Sequence, residues 1–176
     1  PSRAPISHHL DLYRYWDAKR VSRRMPARRD IEPIEIRHLL PYLILIDLVD
    51  GQGRYRLIGT AAAQGLGRDL TGRLVGSYVA PAEFATAMKA AHERVFTTGG
   101  PVFATGEYRS TSSSIHGISR LLLPLGENDA AANMVLVTRL ARFSSAVAAG
   151  TDWLQGEPGK VCDVVDVKSI EEVEAA

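Results

Sequence analysis

Cysteine is nearly absent from this sequence, since Cys162 is the only one among 176 residues. A single cysteine cannot form a disulfide within the chain, which excludes a disulfide-stapled fold and favours a reducing compartment. Long apolar runs are missing as well. The longest, residues 39–48, has about half of the roughly 20 residues that cross a bilayer, and Pro41 and Asp47 interrupt it. We therefore expect a cytoplasmic protein without a membrane span.

An excess of charge of either sign is also lacking, because the formal net charge is +1. The composition therefore gives no reason to expect nucleic acid as a partner. The best case for an anionic partner is local: Tyr15 and Trp16 could stack on bases, and they lie near the basic pairs Lys19-Arg20, Arg23-Arg24 and Arg28-Arg29. These pairs alternate with apolar residues, which favours the interpretation that they are arginines on the solvated end of a helix.

The N-terminal segment has the pattern of an amphipathic helix. Ser7 is a suitable N-cap, and residues 8–22 place apolar side chains at near-helical spacing. An isolated helix of this length is marginal in water, so its apolar stripe needs a partner. We expect four residues to be buried against a sheet face or against a second copy of the chain: Leu10, Tyr13, Trp16 and Val21.

From residue 42 onward the pattern changes to that of strands. Two β-rich runs flank the turn sequence 50–53 and predict an antiparallel hairpin over residues 43–60. Further periodic segments predict a short helix, a longer crossover helix and three strands, at residues 60–66, 81–98, 102–109, 115–125 and 133–140.

Long strands joined by tight turns favour an antiparallel sheet. We therefore predict an α+β fold, with a five-stranded antiparallel sheet, one crossover helix and an N-terminal helical extension. The predicted division is an extension over residues 1–41, a domain over residues 42–142 and an irregular acidic tail over residues 143–176.

This order of elements resembles that of PAS domains. Residues 67–73 resemble the link before the PAS crossover helix, residues 81–100 resemble that helix, and residues 107–109 resemble the strand that follows. Over residues 10–142 the chain also resembles an alphaproteobacterial-type family of bacterial PAS-like proteins, through Tyr15-Trp16, residues 25–33, Leu39-Leu40-Pro41, residues 55–60 and residues 67–72.

The resemblance implies a sensory or regulatory domain rather than an enzyme. PAS ligands sit between one sheet face and the crossover helix, a concave and mostly apolar place. We therefore expect a stand-alone domain that binds a small molecule there and relays to a partner protein. Candidate lining residues, many of which could equally be core, are Leu57, Tyr78, Phe84, Met88, Phe103, Tyr108 and Leu121, with Arg56, Arg68 and His92 as polar handles.

A ligand-free interaction module is the alternative. In this hypothesis the N-terminal helix pairs with a second copy to give a homodimer, or it docks on a signalling partner. The sequence leaves the ligand, the partner and the oligomeric state open.

Two cofactors are weighed against the residues. Some PAS sensors hold haem through a histidine of the crossover helix, and His92 could turn inward to do so. Glu93 and Arg94 follow at once, which favours a histidine at the boundary of the solvated face. Flavin photochemistry of the light-sensing PAS type needs a cysteine after the second strand, and residues 60–65 contain none. A covalent flavin photosensor is therefore disfavoured.

Arrangements for metal binding or catalysis are weak. His8 and His9 are adjacent, so they do not share a helix face, and we expect them to be solvated. Ser112, Ser113 and Ser114 with His116 lack the carboxylate partner of a hydrolase triad. The glycines of residues 65–72 match no phosphate-binding motif. We expect no metal site and no enzyme activity.

Overall fold

The fold was analysed in a computed structural model that describes residues 4–66, 68–77, 82–109, 115–143, 157–158 and 163–167. The helices are α1 (Ala4–Arg20), α2 (Thr60–Leu66) and α3 (Ala82–Thr98), and the strands are β1 (Leu43–Val49), β2 (Gln52–Ile58), β3 (Val102–Arg109), β4 (Ile115–Leu125), β5 (Met134–Phe143), β6 (Glu157–Pro158) and β7 (Asp163–Asp166). Three single 3₁₀ turns, Arg28–Asp30, Pro33–Ile36 and Leu40–Tyr42, connect α1 to β1.

The sheet has the strand order β2-β1-β5-β4-β3-β6, and β7 also pairs with β3. All pairings between the described strands are antiparallel. The predicted α+β architecture is therefore confirmed, with its five-stranded antiparallel sheet β1–β5 and with α3 as the connection between β2 and β3. The predicted hairpin is present as β1 and β2.

The hairpin turn has the backbone that its sequence requires. Asp50 and Gly51 link β1 to β2, and both have positive φ, 51° and 76°. Two consecutive positive φ values are the mark of a type I′ turn, in which Asp-Gly is a preferred pair because its twist matches that of the strands. This turn fixes the register of the hairpin.

A β-bulge follows in β2 and changes which face its side chains occupy. Ile46 pairs with Tyr55 and Leu45 pairs with Leu57, so Arg56 is an extra residue in β2. An extra residue reverses the alternation of faces along a strand. Tyr55 and Leu57, two positions apart, consequently lie on opposite faces of the sheet.

Each face of the sheet carries its own core. The inner face is covered by α2 and α3 and includes Ile44, Tyr55, Val102 and Leu122. The outer face is covered by α1 and the 3₁₀ turns, which together pack on Leu43, Leu45, Phe103, Leu121, Leu123 and Leu136. The N-terminal extension thus shares a core with the sheet.

Helix α1 differs from its prediction at both ends. It begins at Ala4, so Ser7 lies inside the helix and is not its N-cap. It ends at Arg20, and the next residue, Val21, has φ 54° and is 82% exposed. Val21 therefore takes no part in packing on the sheet. Tyr13 and Trp16 are buried as expected, whereas Leu10 is only half-buried.

The C-terminal segment is not irregular throughout, which corrects the prediction for residues 143–176. Strand β7 pairs with β3 from Val102↔Asp166 to Thr105↔Asp163, and β6 pairs with the end of β3. The physical reason is that β3 would otherwise be an open edge, and such an edge presents unpaired backbone groups to any extended segment. The β-branched residues of β7 suit this pairing.

Substitution of Gly59 by alanine is expected to destabilise the fold by about 1–3 kcal/mol, the usual range for overpacking. A Cβ at this position would clash with the backbone carbonyl oxygens of Leu40 and Pro41, which cannot move aside as a side chain could. Urea denaturation measures the change. Gly100→Ala is the matched control, because its Cβ would have Thr98 Oγ1 as its nearest neighbour at 3.8 Å. Equal stability of the two variants would contradict the prediction.

Candidate functional site

Two arginines lie side by side on the inner face of the sheet. Arg120 of β4 pairs in register with Arg139 of β5, and the two residues are 2% and 4% exposed. Both follow the inward alternation of their strands, since Ile118 and Leu122 in β4 and Val137 in β5 belong to the inner core. The Nε atoms of both guanidinium groups make no hydrogen bond within the described part of the chain, although each side chain has other interactions.

Helix α2 makes room for one of these guanidinium groups. Gly65 lies so close to Nη1 of Arg139 that a Cβ added there would clash with it. The glycine that the sequence shows near the end of α2 therefore permits the approach of a charged side chain from β5. Any larger residue would have to displace Arg139.

His92 of α3 lies near Arg120 on the inner side of the sheet. It is 2% exposed, which corrects the expectation of a histidine at the boundary of the solvated face. Its Nδ1 lies 2.5 Å from the carbonyl oxygen of Met88 and donates to it, so that Nε2 of the neutral ring is an acceptor. Burial, with a further contribution from the charge of Arg120, lowers the pKa of His92 to about 4. The ring is therefore neutral near pH 7.

A groove runs along α3 beside this histidine. It has a volume of about 310 Å³ and is bordered by the tip of the β1–β2 hairpin, by residues 74–77 and by one flank of α3. Polar side chains at its border include Gln52, Ser77, Lys89 and Glu93, together with His92. This volume is at the lower end of the range for small-molecule sites.

Of the three predicted polar handles, only His92 lies at the inner face of the sheet, and Arg56 and Arg68 do not. His92 is buried between α3 and the sheet. Arg56 is exposed and forms an ion pair with Asp47, at 3.0 Å between Nη1 and Oδ2. Arg68 is exposed on the link after α2. The structure therefore brings neither of these arginines to the inner face in this conformation.

The predicted lining residues are scattered. Met88 is buried in the inner core. Phe103 and Leu121 are buried in the outer core, beneath α1, and Leu57 is 51% exposed. Those three positions do not line the inner face. Tyr78 lies outside the described residues, and of Phe84 and Tyr108 only the backbone positions, in α3 and β3, are described.

Arg120 and Arg139 were missed by the sequence reasoning. The signal was available: each arginine stands at an inward position of an alternating strand, where an apolar residue is usual. A charged residue is almost never fully buried without compensation, so this placement is informative.

The outer face has a buried polar contact of its own. His9 of α1 is 1% exposed, which corrects the expectation that this histidine is solvated. Hydrogen bonds join its Nδ1 to Oγ1 of Thr138 at 2.5 Å and its Nε2 to Oγ of Ser119 at 2.9 Å. The ring also meets Phe103 edge to face. Helix α1 is thus tied to β4 and β5 by polar bonds as well as by packing.

Among the described residues no group of three or more His, Cys, Asp or Glu side chains could hold a metal ion. The helices in the same part of the chain are all too short or too polar to cross a membrane.

Three solved structures are similar to this chain at low sequence identity, and one of them reaches a TM-score of 0.50. VqmA bound to DPO is 16% identical, with a TM-score of 0.49, over 62% of this chain and 57% of that one. The Rhodobacter sphaeroides LOV protein is 13% identical, with a TM-score of 0.48, over 66% and 71%. A Vibrio cholerae VqmA dimer, described in the absence of target DNA, is 15% identical, with a TM-score of 0.50, over 66% and 54%. No curated protein sequence matches the chain.

The likeness at a TM-score of 0.50 concerns the fold alone. The chain spans little more than half of the VqmA chains. The description of the Vibrio cholerae VqmA dimer refers to a target DNA of that protein, so the neighbours give no support to the expectation that nucleic acid is a disfavoured partner. The family assignment comes from the sequence instead. The PAS-domain family profile matches residues 6–138. The chain therefore belongs to the PAS-domain family, whose members are in general sensory domains.

Proposed function

We propose that this chain is a sensory domain that binds a small molecule between the inner face of its sheet and α3, and that it relays binding to a partner protein. The observation that carries the proposal is the convergence of Arg120, Arg139 and His92 within a mostly apolar layer. A largely apolar site with a few convergent polar groups is the usual form of a ligand site.

The polar groups are costly for stability alone. Burial of a charged side chain requires compensation, and replacement of buried charges by apolar residues of similar volume is often neutral or stabilising. A fold that only needed a filled core would gain nothing from two arginines at these positions. A ligand that binds the two arginines would account for their presence at these positions.

The relay follows from the second face of the sheet. Ser119 and Arg120 are consecutive in β4, as are Thr138 and Arg139 in β5, and alternation puts each pair on opposite faces. The two hydroxyl groups hold His9 of α1, while the two arginines lie on the inner side. A shift of β4 against β5 on ligand binding would therefore act directly on the attachment of α1.

No catalytic role is part of the proposal. His92 is neutral and donates to a backbone carbonyl of its own helix, and it has no described carboxylate partner that would orient it as a general base. We propose a cytoplasmic location in keeping with the cysteine content. A haem held by Nε2 of His92 remains the cofactor alternative, and an absorption spectrum of the purified protein tests it through the Soret band.

Native mass spectrometry of the purified full chain is expected to show a species heavier than the 19.2 kDa protein by the mass of one small molecule. Denaturation should release that molecule for identification. His92→Leu is expected to reduce its occupancy, whereas His38→Leu, at an exposed position, should not. Only the mass of the bare chain, together with no thermal shift from a metabolite library, would refute ligand binding.

The alternative, a ligand-free interaction module, has to use a different surface from the one that the sequence suggests. Leu12, Tyr13 and Trp16 of α1 are already buried against the chain's own sheet. A homodimer formed through this stripe would require α1 to leave the sheet and expose both apolar surfaces. The exposed Val21 and Ile34 are the nearest apolar residues that a partner could contact without undocking.

A further inference from the structure

One wall of the groove along α3 is held in place by backbone hydrogen bonds. This wall consists of the tip of the β1–β2 hairpin and residues 74–77 beside it. The N–H group of Val75 donates to the carbonyl oxygen of Gly53 at 2.8 Å. Gly53 permits this approach, because a Cβ there would lie 3.1 Å from Cγ2 of Val75. The wall is therefore preformed, as the walls of small-molecule sites usually are.

The opposite wall is one flank of α3, and its charges cancel. Lys89 and Glu93 form an ion pair one helical turn apart, with 3.6 Å between Nζ and Oε1. Aside from His92, whose ring is neutral, they are the ionisable residues among the described ones that border the groove. A charged ligand would therefore find no unmatched counter-charge here, and enclosure of a charge without one is costly. The groove favours an uncharged molecule.

His92 is the buried member of this flank, and its free ring nitrogen can only accept a hydrogen bond. Nδ1 donates its proton to the carbonyl oxygen of Met88, a group that can only accept, so the tautomer is fixed and Nε2 carries a lone pair. Nε2 makes no hydrogen bond within the described part of the chain, and it is not one of the fully enclosed side-chain atoms there that lack a partner. Since His92 borders the groove, Nε2 is an acceptor that a ligand in the groove can use.

Apolar side chains supply contact area beside this acceptor. Leu74, Val75 and Phe96 border the groove, and the last two also pack against the inner core. The hydroxyl group of Ser77 already donates to the carbonyl oxygen of Leu74 at 2.7 Å. An apolar site with a positioned polar group selects its ligand by shape and by the group that meets this partner.

We propose that the groove binds a small uncharged molecule with a hydroxyl or N–H group, and that this group donates a hydrogen bond to Nε2 of His92. The inference rests on the proposed function, because it names the chemical class of the molecule that the sensory domain binds. Burial lowers the pKa of the ring to about 4, so the acceptor is present throughout the neutral range. A molecule of the same shape without a donor would cover Nε2 and leave it unpaired, which disfavours its binding.

The test uses the full chain labelled with ¹⁵N and two pairs of probes: indole with N-methylindole, and pyrrolidinone with N-methylpyrrolidinone. In each pair methylation removes the N–H donor and leaves the rest of the molecule in place. Amide shifts of residues 51–53 and 74–77 in ¹H–¹⁵N spectra report binding in the groove.

At least one of the two N–H probes is expected to bind about 10-fold more tightly than its methylated partner, the effect of one hydrogen bond to a buried group. If neither N–H probe shifts these amides at up to about 10 mM, roughly the weak limit for a specific small-molecule site, the inference is wrong. It is equally wrong if both members of each pair bind with the same affinity.

Long-range ¹H–¹⁵N spectra observe the ring nitrogens of His92 directly. Nδ1 is expected to be protonated and Nε2 unprotonated. The Nε2 resonance is expected to move on addition of the N–H probe that binds and to stay in place with its methylated partner, a difference that a merely structural histidine would not show. Protonation of Nε2 in place of Nδ1 would overturn the proposal, as would an Nε2 resonance that a bound N–H probe does not move.

His92→Phe supplies the second arm, because it keeps a flat ring and removes the acceptor. Its affinity for the N–H probe is expected to fall about 10-fold, to that of the methylated partner. His38→Phe, at an exposed position, is the matched control and should keep the preference of the parent. An unchanged preference in His92→Phe would overturn the assignment. If His92→Phe does not fold, the spectra of the parent decide the proposal without it.

The outcomes separate this inference from the proposed function. If native mass spectrometry finds a charged molecule, or one that binds His92→Phe as well as it binds the parent, the chemical class is wrong and the sensory domain remains. Absence of any bound molecule, of a thermal shift from the metabolite library and of any effect of the probes would overturn both.

Discussion

Replacement of Trp16 by alanine is expected to lower the free energy of unfolding by about 3–5 kcal/mol, the range for large aromatic residues in a core. The indole is 2% exposed, and its Nε1 donates to the carbonyl oxygen of Pro124 at 2.8 Å. The variant loses this packing and also leaves a buried carbonyl without its donor. Because domains are stable by roughly 5–15 kcal/mol, such a loss is a large part of the total.

Urea denaturation followed by fluorescence measures the effect, and Val21→Ala is the matched control. Val21 follows α1 directly but is 82% exposed, so its truncation is expected to stay within about 0.5 kcal/mol of the parent. Deletion of residues 1–22 removes the whole of α1 and should expose the outer core, with aggregation as the result. Light scattering would contradict this view if the truncated chain stayed soluble and changed only from dimer to monomer.

Acid is expected to destabilise the protein strongly between pH 6 and pH 4. Burial, together with the neighbouring His8, lowers the pKa of His9 to about 3, and burial with Arg120 lowers that of His92 to about 4. Both lie below the ordinary value near 6.5, so in this window the unfolded chain binds more protons than the folded one. Stability therefore falls as the pH drops, and it is fully present only above about pH 6.5.

The expected loss is about 5 kcal/mol between pH 6 and pH 4, since each group contributes up to about 1.4 kcal/mol per pH unit. Hydrogen bonds from Arg23 and Lys19 lower the pKa values of Asp30 and Glu35, so these carboxylates contribute in the same direction, and their stabilising effect is lost as the pH falls. Urea midpoints measured from pH 7 to pH 4 give the slope. His9→Gln should remove about half of it, and His38→Gln, at an exposed position, should leave it intact. If the urea midpoint of the parent did not change between pH 7 and pH 4, the conclusion that His9 and His92 are buried in the neutral form would be wrong.

Much of the fold could be predicted because its signals are local. The Asp50-Gly51 turn, the alternation of β4 and β5 and the length of α3 each depend on nearby residues, and all of them are found as expected. The covering of β3 by residues 163–166 could not be predicted in this way. It depends on an open edge about 60 residues earlier in the chain, as the register Val102↔Asp166 shows.

The candidate site was harder because a strand pattern shows that two faces alternate but not which of them is covered by which helix. Phe103 and Leu121 were assigned to the ligand side and lie beneath α1 instead. Leu57 was misplaced for a different reason: the extra residue Arg56 reverses the alternation that Tyr55 begins. His9 looked solvated because it lies near the terminus, whereas its hydrogen-bond partners are more than 100 residues away.

The back-to-back placement of Ser119-Arg120 and Thr138-Arg139 has a thermodynamic consequence. If a ligand occupies the inner face as proposed, its binding and the attachment of α1 use the same four backbone positions, so a change at one perturbs the other. Any coupling free energy between two binding equilibria acts equally in both directions. A partner protein that captures α1 would then change the affinity of the domain for its ligand by the same factor by which the ligand changes capture of α1. The partner would be an effector of sensing as well as its recipient.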